Sequence, residues 1–481
     1  MTAISALPVE VLERLPKLLK REVVDGMLKA RLSGGTRKIV VLDDDPTGVQ
    51  TVHGISVYTD WEQQSINAGF AESGSMFFIL TNSRGMTVLE TTEAHTVIAE
   101  RVHRASQLYG KDFILISRSD STLRGHYPLE TEVLRQKLEE LHGIRFDGEI
   151  IAPFFKEGGR YTIGDVHYVR EGDKLIPAGH TEFAGDKSFG YSASDLKQWC
   201  EEKTGGKYKA SDAISITIDE LRGMNIDDIK AKLLSASAFN KIILNAAEYS
   251  DIKVFALAYL DALEAGKNYI FRSAAAMTKV LGGVEDKQLL STSELREGGN
   301  KSGGFVIAGS HVAKTTRQLK SLLESRLNLE GIEFNQHLVL EEGMLEKEVE
   351  RVTAAADALI RAGTTAVVYT RRDRLDLDTE DADRQLEISV KISDALTGVA
   401  AGIKEKPGFI IAKGGITSSD VGIKALKVKK AMVMGQILYG VPVWMTGQES
   451  KFPGMPYVIF PGNVGDDDAL KEAVIKLTSA V

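Results

Sequence analysis

The chain has 481 residues, 43% hydrophobic and 26% charged, an ordinary globular composition that at about 100–200 residues per domain predicts two or three folding units. Its formal charge of −8, from 59 basic and 67 acidic residues, argues against nucleic acid or an acidic membrane surface as a partner, because such partners select a basic face. One cysteine, Cys200, excludes an internal disulfide framework and a multi-cysteine zinc site; it suits a reducing cytoplasm and reads as a small residue filling a helix beside Trp199.

Met1 to Lys20 carries Glu10, Glu13, Arg14 and Lys17 and lacks an apolar run, so a short amphipathic helix is expected there and not a signal peptide. From Lys38 onward, short apolar strands (Lys38–Leu42, Ser56–Tyr58, Met76–Thr81, Phe113–Ile116) alternate with helical segments such as the 3.6-period stretch Thr91–Leu108. Fully apolar strands separated by crossover helices imply a parallel sheet covered on both faces. Glu157–Gly190, rich in Gly, Asp and aromatics, reads as an irregular functional loop; a helix resumes over Ser192–Glu202 and another is expected around Val254–Ala276. Gly298–Gly304 is the linker candidate.

The second half repeats the rhythm through Phe305–Ala308, Ala366–Thr370, a helix ending near Lys404, and Phe409–Ala412. Ala431–Gln448 is uncharged and approaches membrane-span length, but Gly435, Gln436, Gly440 and Pro442 interrupt it, which favours two buried strands and a turn. The expected fold is two α/β domains with mainly parallel sheets, residues 38–297 and 303–481, preceded by a helical extension over 1–37.

Chemistry concentrates at strand exits. Asp43-Asp44-Asp45-Pro46-Thr47-Gly48 places three mutually repelling carboxylates where ligands of open α/β sheets bind, so a cation, a donor-rich substrate or a helix N-terminus is expected to compensate them, the alternative being a solvated turn with an Asx cap. Ser117 to His126 supplies Asp120, Ser121, Thr122 and Arg124 in one strand-to-helix turn, offering a base, hydroxyl donors and a carboxylate clamp. Thr81-Asn82-Ser83-Arg84-Gly85 adds a guanidinium at the same edge. In the second half, Lys413-Gly414-Gly415-Ile416-Thr417-Ser418-Ser419-Asp420 precedes a helix expected near Val421; glycines beside a helix start suit phosphate. Gly309-Ser310-His311 and Pro461-Gly462-Asn463-Val464-Gly465 are further glycine-bearing exits. No P-loop, dinucleotide, zinc-protease or serine-hydrolase motif occurs. The scattered histidines His53, His126, His167 and His311 lack ligand spacing and read as hydrogen-bonded structural residues.

Together these stretches resemble the four-carbon acid sugar kinases. The family's Asp-Asp-x-Thr-Gly turn is matched by Asp44 to Gly48, its Ser-Arg pair by Ser83-Arg84, its Asp-Ser-Thr-Leu-Arg-Gly block by Asp120 to Gly125, and its Gly-Arg element by Gly159-Arg160. Its nucleotide-domain exits are matched by Ala308-Gly309-Ser310, Gly414 to Thr417 and Pro461 to Gly465. The likeness covers nearly the whole chain from Lys38. The N-terminal extension, Asp43, Pro46 and the run Val49 to His53 depart from the usual pattern.

The resemblance implies an acid-sugar-binding domain (38–297), an ATP-binding domain (303–481) and reaction in a cleft between them. It assigns Asp120 and Asp45 as candidate bases. Substrate binding falls to Asp44, Asp45, Arg84, Ser121, Thr122, Arg124, Gly125 and Arg160, with Arg84 and Arg124 on the carboxylate. Nucleotide binding falls to Ser310, Gly414, Gly415, Ile416, Thr417, Gly454, Gly462, Asn463 and Gly465. ATP and Mg²⁺ are the implied cofactors, with no metal-ligand motif legible; the acceptor would be a tetronate, a 3-oxo-tetronate or a branched oxo-acid. A homodimer is an admissible assembly. The competing readings are a metal-dependent aldolase or dehydratase acting on acid sugars, and a non-catalytic acid-sugar sensor.

Overall fold

The computed structural model describes residues 4–17, 21–295, 301–373, 375, 382–462 and 464–479. They form two units, one of residues 1–52 and 60–286 and one of residues 53–59 and 287–481.

In the first unit the apolar runs become a parallel sheet whose order is Ile214–Ile216, Asn240–Leu244, Gly148–Ala152, Tyr269–Ser273, Phe113–Arg118, Lys38–Asp43, Met76–Leu80. Val40, Val41, Phe77, Phe78, Ile116 and Ile150 are buried, as strands covered on both faces require. Helix Val88–Tyr109 covers part of it: Thr87 and Glu90 close a capping box, Gly110 ends the helix at φ 59°, and Ile98 and Val102 face the core. A cap of this kind contributes about 1 kcal/mol. Strand Lys38–Asp43 is flanked by Met76–Leu80 on one side and Phe113–Arg118 on the other, so the chain reverses its direction of growth there. The carboxyl ends of these three strands form the switch point at which such sheets bind ligands.

The second unit has the order Ser56–Tyr58, Lys430–Leu438, Val441–Thr446, Pro456–Phe460, Ile410–Lys413, Phe305–Ala308, Thr365–Thr370, Leu329–Phe334. The last five strands run parallel and the first three join antiparallel. Phe305–Ala308, between Ile410–Lys413 and Thr365–Thr370, is again the switch. The uncharged stretch is the antiparallel pair Lys430–Leu438 and Val441–Thr446, and no described helix is long and apolar enough to cross a membrane.

Several elements differ from the sequence reading. Glu157–Gly190 is largely ordered into an antiparallel arm, Arg160–Ile163, Val166–Glu171 and Lys174–Pro177; hairpin turns at Gly164 and Gly172 supply its glycines. The N-terminal segment contributes strand Leu7–Pro8 to that arm and a single helical turn, Val11–Arg14, and the longer helix is Arg21–Ser33; Pro8 and Pro16 keep the first segment from a longer helix. Val254–Ala276 contains strand Tyr269–Ser273 between helices Tyr249–Glu264 and Ala275–Leu281, because Gly266 breaks the helix before an aromatic, β-branched run. Ser56–Tyr58 pairs with Lys430–Met432 and so belongs to the second sheet. The expected linker lies partly outside the described residues.

Candidate functional site

Three of the first sheet's exits converge on Arg84. Its guanidinium pairs with Asp45, lies 3.5 Å from Asp44 Oδ2 and 3.8 Å from Asp120 Oδ1. Beneath it, Arg118 Nη1 donates to Asp43 Oδ1 at 2.9 Å and Asp44 Oδ1 at 3.3 Å. Strand register puts Asp43 directly opposite Arg118, so the acid with no family counterpart is the buried partner of a buried arginine. Gly48 is required by the same packing: a Cβ there would lie 2.1 Å from the Asp43 carboxylate. Asp120 Oδ2 accepts from Thr122 Oγ1 and, at 2.8 Å, from Arg124 Nε. Thr47 donates its amide to Asp45 Oδ1 at 2.7 Å.

These pairings split the carboxylates into two kinds. Burial pushes Asp43 up to about 7 against the pull of Arg118, and pushes Asp44 up to about 6 against Arg84 and Arg118. Asp45 and Asp120 feel the same burial, but Arg84, joined by Thr47 at the first and by Arg124 at the second, outweighs it and holds both below the ordinary carboxylate range. Asp44 is also the inaccessible one: its side chain is 2% exposed, against 15% for Asp45 and 13% for Asp120. The Asp44 oxygens meet Arg118, Arg84 and the Asp120 amide.

Arg84 is likewise committed to three acids. Arg160, delivered by the arm, makes no ion pair among the described residues; burial lowers its pKa, and it faces the Phe183 ring at 5.7 Å while Arg124 faces that ring at 5.0 Å. Ser121 and Thr122 are buried in the turn, and Gly125, at φ 119°, lets the chain pass Asp44. A larger cavity of about 880 Å³ opens at the amino ends of these strands, near Ile39 and Ile114; it contains none of the acids, and Lys29, Arg31 and Lys253 on its rim are paired with Glu285, Glu264 and Asp25.

In the second unit a cavity of about 450 Å³ is lined by Ser310, Gly414, Gly415, Ile416, Thr417 and Gly462. Gly414 sits at φ 113°, a conformation that residues with a Cβ rarely adopt, and its amide is spent on the Phe460 carbonyl at 2.8 Å. Its role is steric, and the helix starts at Gly415, earlier than the expected Val421, which begins a π-helical turn. Gly415, Ile416 and Thr417 carry the first-turn amides, which helix geometry leaves without intrahelical partners. Gly454 is a correction: it precedes strand Pro456–Phe460, whereas Gly462 follows it, so it lies at the opposite end of the strand from the cavity. Gly465, at φ 80°, turns the chain toward helix Ala469–Thr478 and does not line the cavity. Asn463 lies outside the described residues.

Two residues escaped the sequence reading as functional. Arg118 was legible only through strand register. Lys413, fully buried, donates from Nζ to the carbonyls of Pro461 at 2.6 Å and Gly462 at 3.2 Å; burial, with Lys314 nearby, pushes it down to about 7. Its signal was a lysine at a strand end directly before two glycines.

A sugar-binding N-terminal domain model matches residues 39–281, and a nucleotide-binding C-terminal domain model matches residues 305–470. Fold and site thus define a two-domain sugar- and nucleotide-binding protein. The chain belongs to the four-carbon acid sugar kinase family, also catalogued as DUF1537. Its fold is similar to that of the Haemophilus influenzae DUF1537 protein HI1011, at TM-score 0.60 and 18% identity over 90% of this chain and 99% of that one. It is also similar to a candidate tRNA synthase from Salmonella typhimurium LT2, at TM-score 0.63 and 15% identity over 91% and 98%. No curated protein matches the sequence.

Proposed function

We propose that the chain is an ATP-dependent kinase that phosphorylates a hydroxyl of a small sugar acid of about four carbons, such as a tetronate, a 3-oxo-tetronate or a branched oxo-acid. Residues 38–297 bind the acid and 303–481 bind the nucleotide, with 1–37 as an N-terminal extension. The observation that carries this reading is the guanidinium of Arg160, without an ion pair among the described residues and near Asp120, together with the partly accessible acids Asp45 and Asp120, at the switch point of a sugar-binding domain. A carboxylate on the substrate would satisfy Arg160 and Arg124, and its hydroxyls would donate to Asp45 and Asp120.

Phosphoryl transfer through a loose transition state needs positioning and charge neutralisation more than a strong base. Asp120, held low by Arg84 and Arg124, suits that role as the hydroxyl's proton acceptor, with Asp45 orienting the neighbouring hydroxyl. In the nucleotide domain, the amides of Gly415, Ile416 and Thr417 supply donors for phosphate oxygens, and Ser310 and Gly462 border the same space. Lys413 stands beneath the Pro461–Gly462 turn and adds positive charge there when protonated. Mg²⁺ would enter held by the ATP phosphates and water.

ADP release measured across a panel of four-carbon acids tests the reading. ATP-dependent release with at least one acid is expected, and no release above background with any acid overturns it.

A further inference from the structure

The turn Asp120–Arg124 has a backbone that its own sequence does not favour. Leu123 lies at φ 70° and Gly125 at φ 119°, and a leucine in the left-handed region persists only where its surroundings over-determine it. Side chains from three separate elements provide that constraint by binding the turn's carbonyls. Arg272, at the end of strand Tyr269–Ser273 and 1% exposed, donates from Nη1 to the Asp120 carbonyl at 3.2 Å and from Nη2 to the Arg124 carbonyl at 3.1 Å. His167, on the arm, meets the Ser121 carbonyl with Nε2 at 2.8 Å, while Nδ1 lies 3.0 Å from Thr162 Oγ1. A carbonyl only accepts, so Nε2 carries the proton and the Thr162 hydroxyl donates to Nδ1. Tyr191 donates its hydroxyl to the Thr122 carbonyl at 2.7 Å.

Arg272 is the unusual member. It is a fully buried cation that makes no ion pair among the described residues, and its guanidinium lies over the Trp199 ring at 5.4 Å. Filling the core does not require a charge, and a point charge such as lysine could not reach both ends of the turn. A planar fork can. The three side chains that the turn directs into the site, Asp120, Thr122 and Arg124, are hydrogen-bonded to one another, so the spacing of the turn's two ends sets where the Asp120 carboxylate points.

We infer that Arg272 is a positioning residue of the acid-sugar site, spanning the Asp120–Arg124 turn so that Asp120 and Arg124 are held in register for the substrate, with His167 and Tyr191 as its auxiliaries. For its effect on turnover the inference rests on the kinase reading above.

The test compares the full-length wild type with Arg272→Lys, Arg272→Met and the milder Tyr191→Phe. Displacing a reacting group by about 1 Å can cost about 100-fold in rate; accordingly kcat with the best acid of the panel should fall at least about 30-fold in Arg272→Lys and about threefold in Tyr191→Phe. The KM for ATP should stay within about twofold, a split that general loss of structure would not give, and lysine should not rescue. Amide hydrogen exchange gives an arm independent of any activity: residues 121–125 should exchange faster in Arg272→Lys while the parallel strands keep their protection. Wild-type exchange across the turn in Arg272→Lys overturns the inference whether or not the protein proves to be a kinase. Absence of wild-type ADP release overturns only the kinase reading, and the exchange arm then decides this one. If Arg272→Met fails to fold, Tyr191→Phe and Arg272→Lys carry the comparison, and unchanged kcat in both overturns the inference.

Discussion

The two candidate sites occupy equivalent places, the switch points of two parallel sheets, yet they are made of different materials. The first unit's site is built from charged side chains: three arginines and four aspartates interlock at the ends of three strands. The second unit's cavity is lined by glycines, among them Gly414, Gly415 and Gly462, and by uncharged side chains such as Ser310, Thr417 and Leu396, with the buried Lys413 beneath. The difference matches the ligands proposed. A sugar acid offers hydroxyls and one carboxylate, which need donors and acceptors at fixed angles; phosphates are satisfied by clustered N–H groups, which glycines allow to approach closely.

The comparison can be broken most directly at Asp120. Asp120→Asn should lower kcat at least about 100-fold and leave ADP affinity, measured by calorimetry, unchanged; near-normal turnover would remove Asp120 as proton acceptor. Arg160→Met should weaken acid binding by about 10- to 100-fold, the worth of a charge-assisted hydrogen bond. An equal loss for the nucleotide would show that the two sites are not chemically separate. Gly414→Ala is the reciprocal probe: forcing a Cβ onto φ 113° should weaken ADP binding about tenfold by shifting the cavity wall, with acid binding untouched.

The smallest effects are those of pH, and Asp43 with Asp44 in the first unit and Lys413 in the second carry opposite signs. Asp43 and Asp44, raised from 3.8 to about 7 and about 6, keep their protons in the folded state where the unfolded chain has lost them, so they make the first unit less stable as pH rises from about 4 to about 7. Asp45 and Asp120 are shifted the other way; their contribution is present above the usual carboxylate range and is lost as pH falls below it. Lys413, lowered from 10.5 to about 7, makes the second unit more stable as pH climbs through that interval, because there the unfolded chain binds the additional proton. Phosphate prefers the charged lysine, so ADP affinity should fall over the same range, by less than about tenfold per pH unit. Thermal melts and calorimetry at matched pH values would reveal the opposition; parallel trends would remove Lys413 from the nucleotide site.

Strand exits and their chemical residues were legible in the sequence because apolar runs of four to six residues announce buried parallel strands, and whatever follows them sits at a ligand-binding edge. Asp45, Arg84, Asp120 and Arg124 were read that way as lying together at one sheet edge, as the structure has them, and Ser310, Gly415 and Thr417 as lying at another. The arm over Arg160–Pro177 was not, since hairpins of polar and aromatic residues carry weak periodicity. Gly454 was misplaced because a glycine's position in sequence says nothing about which end of a sheet it occupies.

What the sequence determined by itself was the α/β class, the strand exits and the supply of acids, guanidines and glycines at them, all properties of short contiguous stretches. Tertiary structure alone decided how those groups are spent. Register set Asp43 against Arg118, Asp44 met Arg118 and Arg84, three acids occupied Arg84, and the arm carried in Arg160 without an acid of its own. Ionic commitment and burial depend on neighbours distant in the chain, and a one-dimensional pattern cannot express which of several identical carboxylates lies next to which guanidinium.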